Sequence, residues 1–145
     1  MDTSGQHLSI AVFCEKLLQE KDGGISLIRV LDRYHVSEPT ETIPVQTIPL
    51  TLVILMRSGI FRGAATIKVQ GYSPSGQALP PIELPTYFEG DDERGSMVVA
   101  SIGFAAKEQG LHWFDVLIDN ELKTRIPLRI VFQKAGPGVL PHPQS

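Results

Sequence analysis

One cysteine, four histidines and sixteen acidic residues are the groups in this 145-residue chain that could carry acid–base, nucleophilic or metal chemistry. Cys14 as a nucleophile would need His35 or His112 within hydrogen-bond reach, and both lie far from it along the chain. On a predicted strand it shares a face with Ile10 and Val12, which instead implies a buried thiol, raised in pKa and weakly nucleophilic. A single cysteine makes no intrachain disulfide, and no Cys/His cluster has zinc-ligand spacing. Glu89, Asp91, Asp92 and Glu93 bring hard oxygen ligands together in a glycine-bounded loop of the kind that holds calcium. Their spacing matches no EF-hand, and Arg94 supplies a counter-charge, so a solvated loop without metal is expected. The chain has no Gly-x-Ser-x-Gly elbow, no Gly-x-Gly-x-x-Gly turn and no Walker sequence. These absences predict a protein that is not an enzyme and needs no cofactor.

The remaining candidates are side chains suited to docking. Ile60 and Phe61 stand between Arg57 and Arg62 in a short link, and apolar residues flanked by Arg are enriched where partners bind. The same pair could equally tuck over the open end of a sandwich. In Gly110–Phe132, two apolar β-prone runs flank a turn at Asp119-Asn120-Glu121. Strand alternation places His112, Phe114, Val116 and Ile118 on one face and Leu111, Trp113, Asp115 and Leu117 on the other. Both faces are largely apolar. Either the strand is covered on both sides, with Trp113 packed inside the domain or under a loop, or the Trp113 face meets a partner. Ile60, Phe61, Arg62, Leu111, Trp113 and Leu117 are therefore the candidate partner-binding residues. Pro127 in the return strand fits an edge or a bulge.

The elements that position these groups read as strands throughout. Leu8–Glu15 alternates, Leu17 and Leu18 suit a helical turn, and Asp22-Gly23-Gly24 reverses the chain into a second strand, Ile25–Tyr34. The polar, Pro-interrupted run from His35 to Thr47 is long enough to cross between sheets. Ile48–Arg57 is the most apolar strand and belongs at a sheet centre. Ala64–Tyr72 has the pattern of a half-buried strand, Ser73-Pro74-Ser75-Gly76 is a turn, and the Pro-rich PPIELPTYFE segment suits a sheet edge. Ser96–Ala106 is the last long strand before the hairpin. The count is about eight mostly antiparallel strands with no helical period, the cadence of an all-β sandwich, immunoglobulin-like or C2-like. Residues 8–133 are expected to form one domain, between a loose leader (1–7) and a Gly/Pro-rich flexible tail (134–145).

The run FCEKLLQEKDGGISLIRVLDRY resembles the start of a family of uncharacterised bacterial β-sandwich proteins with no assigned activity. Cys14-Glu15, the Gly23-Gly24 turn and Leu27-Ile28-x-Val30-x-Asp32 carry the resemblance, and Arg29 stands where that family's strand has Gly. The run Gly110-x-His112-x-Phe114-x-Val116-x-Ile118-Asp119 is similar to the final hairpin of immunoglobulin-like sandwiches. The resemblance implies a β-sandwich and supplies no catalytic residue.

Composition agrees with an ordinary globular domain: 42% hydrophobic and 20% charged residues, long enough for a core without metal or disulfide. A net charge of −3 and scattered cations predict no nucleic-acid partner. The N-terminus has Asp2 and only a short apolar run, and the apolar stretch Leu50–Met56 is too short to span a bilayer. No membrane association and a cytoplasmic location are expected. The function these features predict is a non-catalytic module for protein–protein association, with itself or a partner. The alternative is a small-molecule or calcium-binding sandwich using acidic residues at the loop ends.

Overall fold

The computed structural model describes residues 7–57, 62–88 and 95–134. Among these residues nine strands follow in order: β1 (His7–Gln19), β2 (Ile25–Leu31), β3 (Arg33–Ser37), β4 (Thr47–Arg57), β5 (Gly63–Tyr72), β6 (Ile82–Phe88), β7 (Gly95–Ala105), β8 (Gly110–Ile118) and β9 (Glu121–Gln133). They build two sheets, one of four strands in the order β2-β1-β4-β7 and one of five in the order β3-β9-β8-β5-β6. All neighbours are antiparallel except β3 and β9. The protein is an all-β sandwich, as the alternation predicts.

Period-two patterning sends one set of side chains from each sheet into a common core. Leu52, Ile54, Ile67, Val116, Leu128 and Ile130 are at most 1% exposed within it. Phe13 and Phe114 meet there edge to face, with ring centroids 5.0 Å apart, a favoured geometry for aromatic pairs. In β1 the alternation changes phase. A register irregularity between Leu8 and Ile10 lets Leu8, Ala11 and Phe13 all reach the core and turns Ile10 outward, the usual effect of one extra residue in a ladder.

Three expectations about the N-terminal third need correction. Leu17 and Leu18 form no helical turn: β1 continues to Gln19, because pairing with β2 runs on to Gln19↔Ile25. Ile25–Tyr34 is two strands, which raises the count to nine. The chain leaves the four-stranded sheet at Asp32, whose carbonyl accepts the Arg129 N–H at 2.8 Å and starts the parallel β3–β9 pairing. The sheet change therefore occurs at Asp32, and residues 38–46 make a second crossing back to β4.

The hairpin turn is tighter than three residues. Asp119 and Asn120 alone connect β8 to β9, with φ of 48° and 67°, as a type I′ turn requires. Asp119 is fixed by two bonds to Thr66, its N–H donating to the carbonyl and its Oδ1 accepting the Thr66 N–H, each 2.9 Å. Pro127 costs the ladder no bond. Arg129 turns its N–H toward the β3 side, so Pro127 faces that side too, where β3 has not yet begun.

Candidate functional site

The residues singled out on β8 occupy the outer face of the five-stranded sheet. Trp113 lies opposite Tyr72 and Pro127, outside the core and 37% exposed, with the Arg125 guanidinium carbon 5.9 Å from its ring centre. Leu111 and Leu117 are half-buried on the same face. They do not merge into one apolar surface, because the Asp115–Arg125 ion pair lies between Trp113 and Leu117. Arg62 is exposed. Ile60 and Phe61 lie outside the described residues, as do Glu89, Asp91, Asp92 and Glu93.

Cys14 is fully buried, and burial pushes its thiol up from the ordinary value of 9.0. Its Sγ contacts the Lys16 carbonyl at 3.6 Å. His35 sits elsewhere, its Nδ1 3.1 Å from the Gln133 amide nitrogen. His112 faces the core at 2% exposure, its Nδ1 3.1 Å from the Gly110 carbonyl and its ring edge-on to Phe104. The three groups are thus bound to different neighbours. Among the described residues no three His, Cys, Asp or Glu side chains come together as a metal site.

Among the described residues, two concavities open to solvent stand out. The β1–β4 ladder stops at Cys14↔Thr51 while β1–β2 pairing continues, so the β1–β2 hairpin projects past the sheet. Between it and the start of β4 lies a groove of about 780 Å³ lined by Arg29, Arg33, Tyr34, His35 and Glu15, among others. Arg29 bonds Glu15 at 3.2 Å. The second, about 430 Å³, is bordered by Ser73, Leu79, Phe104, Glu108, His112 and Phe114. Ser73, Ser75 and Glu108 form a hydrogen-bonded chain there, with steps of 2.8 and 3.1 Å.

A further feature among the described residues is the outer face of the four-stranded sheet. Directly opposed residues project their side chains to the same side, so the ladders define rows. Ile10, Leu55 and Met97 make one row, Val12, Val53 and Val99 the next, and Val30, Cys14, Thr51 and Ser101 a third. No charge falls in these rows. Val53 and Cys14 are wholly buried by their neighbours, yet Ile10 is 39%, Met97 37%, Val99 44% and Val30 58% exposed. A one-sided antiparallel sheet normally turns polar residues outward, and contiguous apolar surface marks interaction sites. The signal was present in TLVILM of β4 and SMVVASIGF of β7, where apolar residues do not alternate. Burial at the sheet centre accounts for the first of these runs but not for the second, which lies at an edge.

No curated protein matches the sequence. A solved structure described as an immunoglobulin-like protein from Pseudomonas aeruginosa is similar over 88% of this chain and 98% of its own, at 9% identity and a TM-score of 0.48. The sequence model of a family of unknown function (DUF6941) matches residues 9–131. With that match extending from β1 to near the end of β9, the chain belongs to this family of unknown function.

Proposed function

We propose that this protein is a non-catalytic association module that binds a protein surface, its own copy included, through the four-stranded sheet. The observation that carries the reading is the uncharged centre of that outer face around Val53, with Ile10, Val30, Met97 and Val99 exposed there and Lys16 and Arg57 only at its margins. Covering such side chains is worth roughly 25 cal/mol per Å² of apolar surface removed from water. The Trp113 face of the other sheet is a poorer candidate, since the Asp115–Arg125 pair and Lys68 interrupt it.

Sedimentation velocity from about 1 μM to about 1 mM protein tests this. The wild-type chain should associate across that range. A Met97→Lys/Val99→Lys double variant should remain monomeric with its melting temperature preserved, because both side chains already reach solvent. A wild-type chain monomeric throughout, or association untouched by the lysines, would overturn the reading.

A second reading, small-molecule binding, is favoured by the cavity of about 430 Å³ beside His112, a size typical of ligand pockets. Any ligand of the native state raises the melting point. A thermal-shift screen of common metabolites and divalent ions separates the two, since the association reading expects no compound to shift it.

A further inference from the structure

The sheets have four edges, and three carry devices that discourage strand addition. At the β6 edge, Thr66 directs both its N–H and its carbonyl to Asp119 on the β8 side. Pro85, opposite Thr66, therefore turns its bare nitrogen to the open edge. The β3 edge is five residues long and carries Arg33 and His35. The β2 edge is distorted at Arg29, where φ is +52°.

The fourth edge is β7, and it has none of these. Gly95–Ala105 contains no proline and no charged residue, and its ladder with β4 runs unbroken from Gly95↔Arg57 to Ala105↔Thr47. The Ala106 N–H donates to the Gln46 carbonyl at 3.0 Å. By antiparallel alternation, Ile48↔Phe104, Leu50↔Ile102 and Leu52↔Ala100 are then hydrogen-bonded pairs. Pro49↔Gly103 falls among the non-bonded pairs, where a residue lacking N–H belongs. Met97, Val99, Ser101 and Gly103 consequently point their main-chain groups away from β4, and no hydrogen bond from them to another described strand is present.

We infer that β7 is the docking edge for a second copy of this chain, pairing antiparallel with the partner's β7 about a two-fold axis at Ala100 to make one eight-stranded sheet. This rests on the association reading and names its partner and geometry. An identical strand fits because the axis at Ala100, the midpoint of β7, gives full overlap. Met97 then faces Gly103 and Val99 faces Ser101 across the axis, four central bonded pairs, with Gly95 facing Ala105 at each end and no like charges opposed. Each bonded pair exchanges two bonds, giving about eight, within the roughly 10 ± 5 of a typical interface. An edge about 37 Å long and one layer, about 10 Å, deep buries on the order of 700 Å² over both partners, below the roughly 1,000 Å² of a stable specific contact. The dimer is therefore weak and concentration-dependent. It also joins the two apolar outer faces along their Met97 and Val99 margins.

Ser101→Pro is the discriminating variant. The N–H it removes points to the open edge, so the β4–β7 ladder keeps its bonds while the intermolecular pairing loses donors on both sides of the axis. In sedimentation, the wild-type dimer should dissociate at least about tenfold more readily as the variant. Amide hydrogen exchange on the wild-type chain gives an independent readout. Met97, Val99, Ser101 and Gly103 should gain protection on concentration, whereas Val98, Ala100 and Ile102 are protected at every concentration. If the chain associates but these four amides exchange freely, or Ser101→Pro folds and associates unchanged, β7 is not the edge and the association reading survives. A wild-type chain that never associates removes both.

Discussion

Arg125 grips Asp115 across the β8–β9 ladder with two bonds, Nε donating to Oδ1 at 2.6 Å and Nη2 to Oδ2 at 3.2 Å. Asp115 is only 8% exposed, and its carboxylate holds the guanidinium above its ordinary pKa, chiefly through the hydrogen bond. Replacing Arg125 leaves the Asp115 charge poorly solvated, a larger effect than losing an exposed surface pair. Arg125→Met should therefore lower the melting temperature, and Asp115→Asn in the same chain should recover part of the loss. A double-mutant cycle with no coupling between the two sites would show that the pair contributes nothing.

Arg29 adopts φ of +52° in the middle of β2, a region that costs an L-residue about 1–2 kcal/mol. Only Gly takes that conformation without strain. The Arg29–Glu15 ion pair does little to offset the strain, because both side chains are more than half exposed. Arg29→Gly should stabilise the fold by up to about 1 kcal/mol in urea denaturation. Arg29→Val should destabilise it by more than that, since a β-branched side chain tolerates positive φ least.

Gly71 is required for a different reason. Its backbone is unstrained, but a Cβ would sit 2.8 Å from the Phe114 ring and 3.0 Å from Leu79. Gly71→Ala should cost about 1–3 kcal/mol through overpacking. Phe114→Leu in the same chain should recover part of this by vacating the ring's space, at a smaller cost than Phe114→Leu carries alone. Additive losses would place the strain elsewhere.

Period-two patterning made most of the sandwich legible. Alternation sorts the two faces of β8 residue by residue, and Asp22-Gly23-Gly24 and Ser73–Gly76 announce their turns. What failed was whatever local pattern cannot encode. A strand that changes sheets at Asp32 reads like one that does not, because Ile25–Tyr34 keeps an apolar, β-prone character across the break. The irregularity at Leu8/Ile10 reversed the faces of the first residues of β1. The candidate surface is hidden in the sequence for a related reason. Val12, Val53 and Val99 are ordinary strand residues taken singly, and only the pairing of three strands distant in sequence joins them into one face.

His112 gives the fold a pH dependence whose sign follows from its surroundings. Burial among Phe104 and the core pushes the imidazole below its ordinary 6.5, and the main-chain bonds to Gly110 and Leu128 and the charge of Glu108 oppose that shift without reversing it. The folded-state pKa is thus below the unfolded one. The neutral ring's contribution is complete above about pH 6.5 and is lost as pH falls toward the folded value, because the unfolded chain takes up the proton first. The slope is at most about 1.4 kcal/mol per pH unit for one proton. Urea denaturation at about pH 7.5 and pH 5.5 should therefore show the wild-type chain losing more stability than His112→Gln over that interval. Carboxylates that titrate at lower pH contribute equally to both chains, so the difference isolates the ring. Equal losses would mean that His112 is as free to be protonated in the folded protein as in the unfolded one.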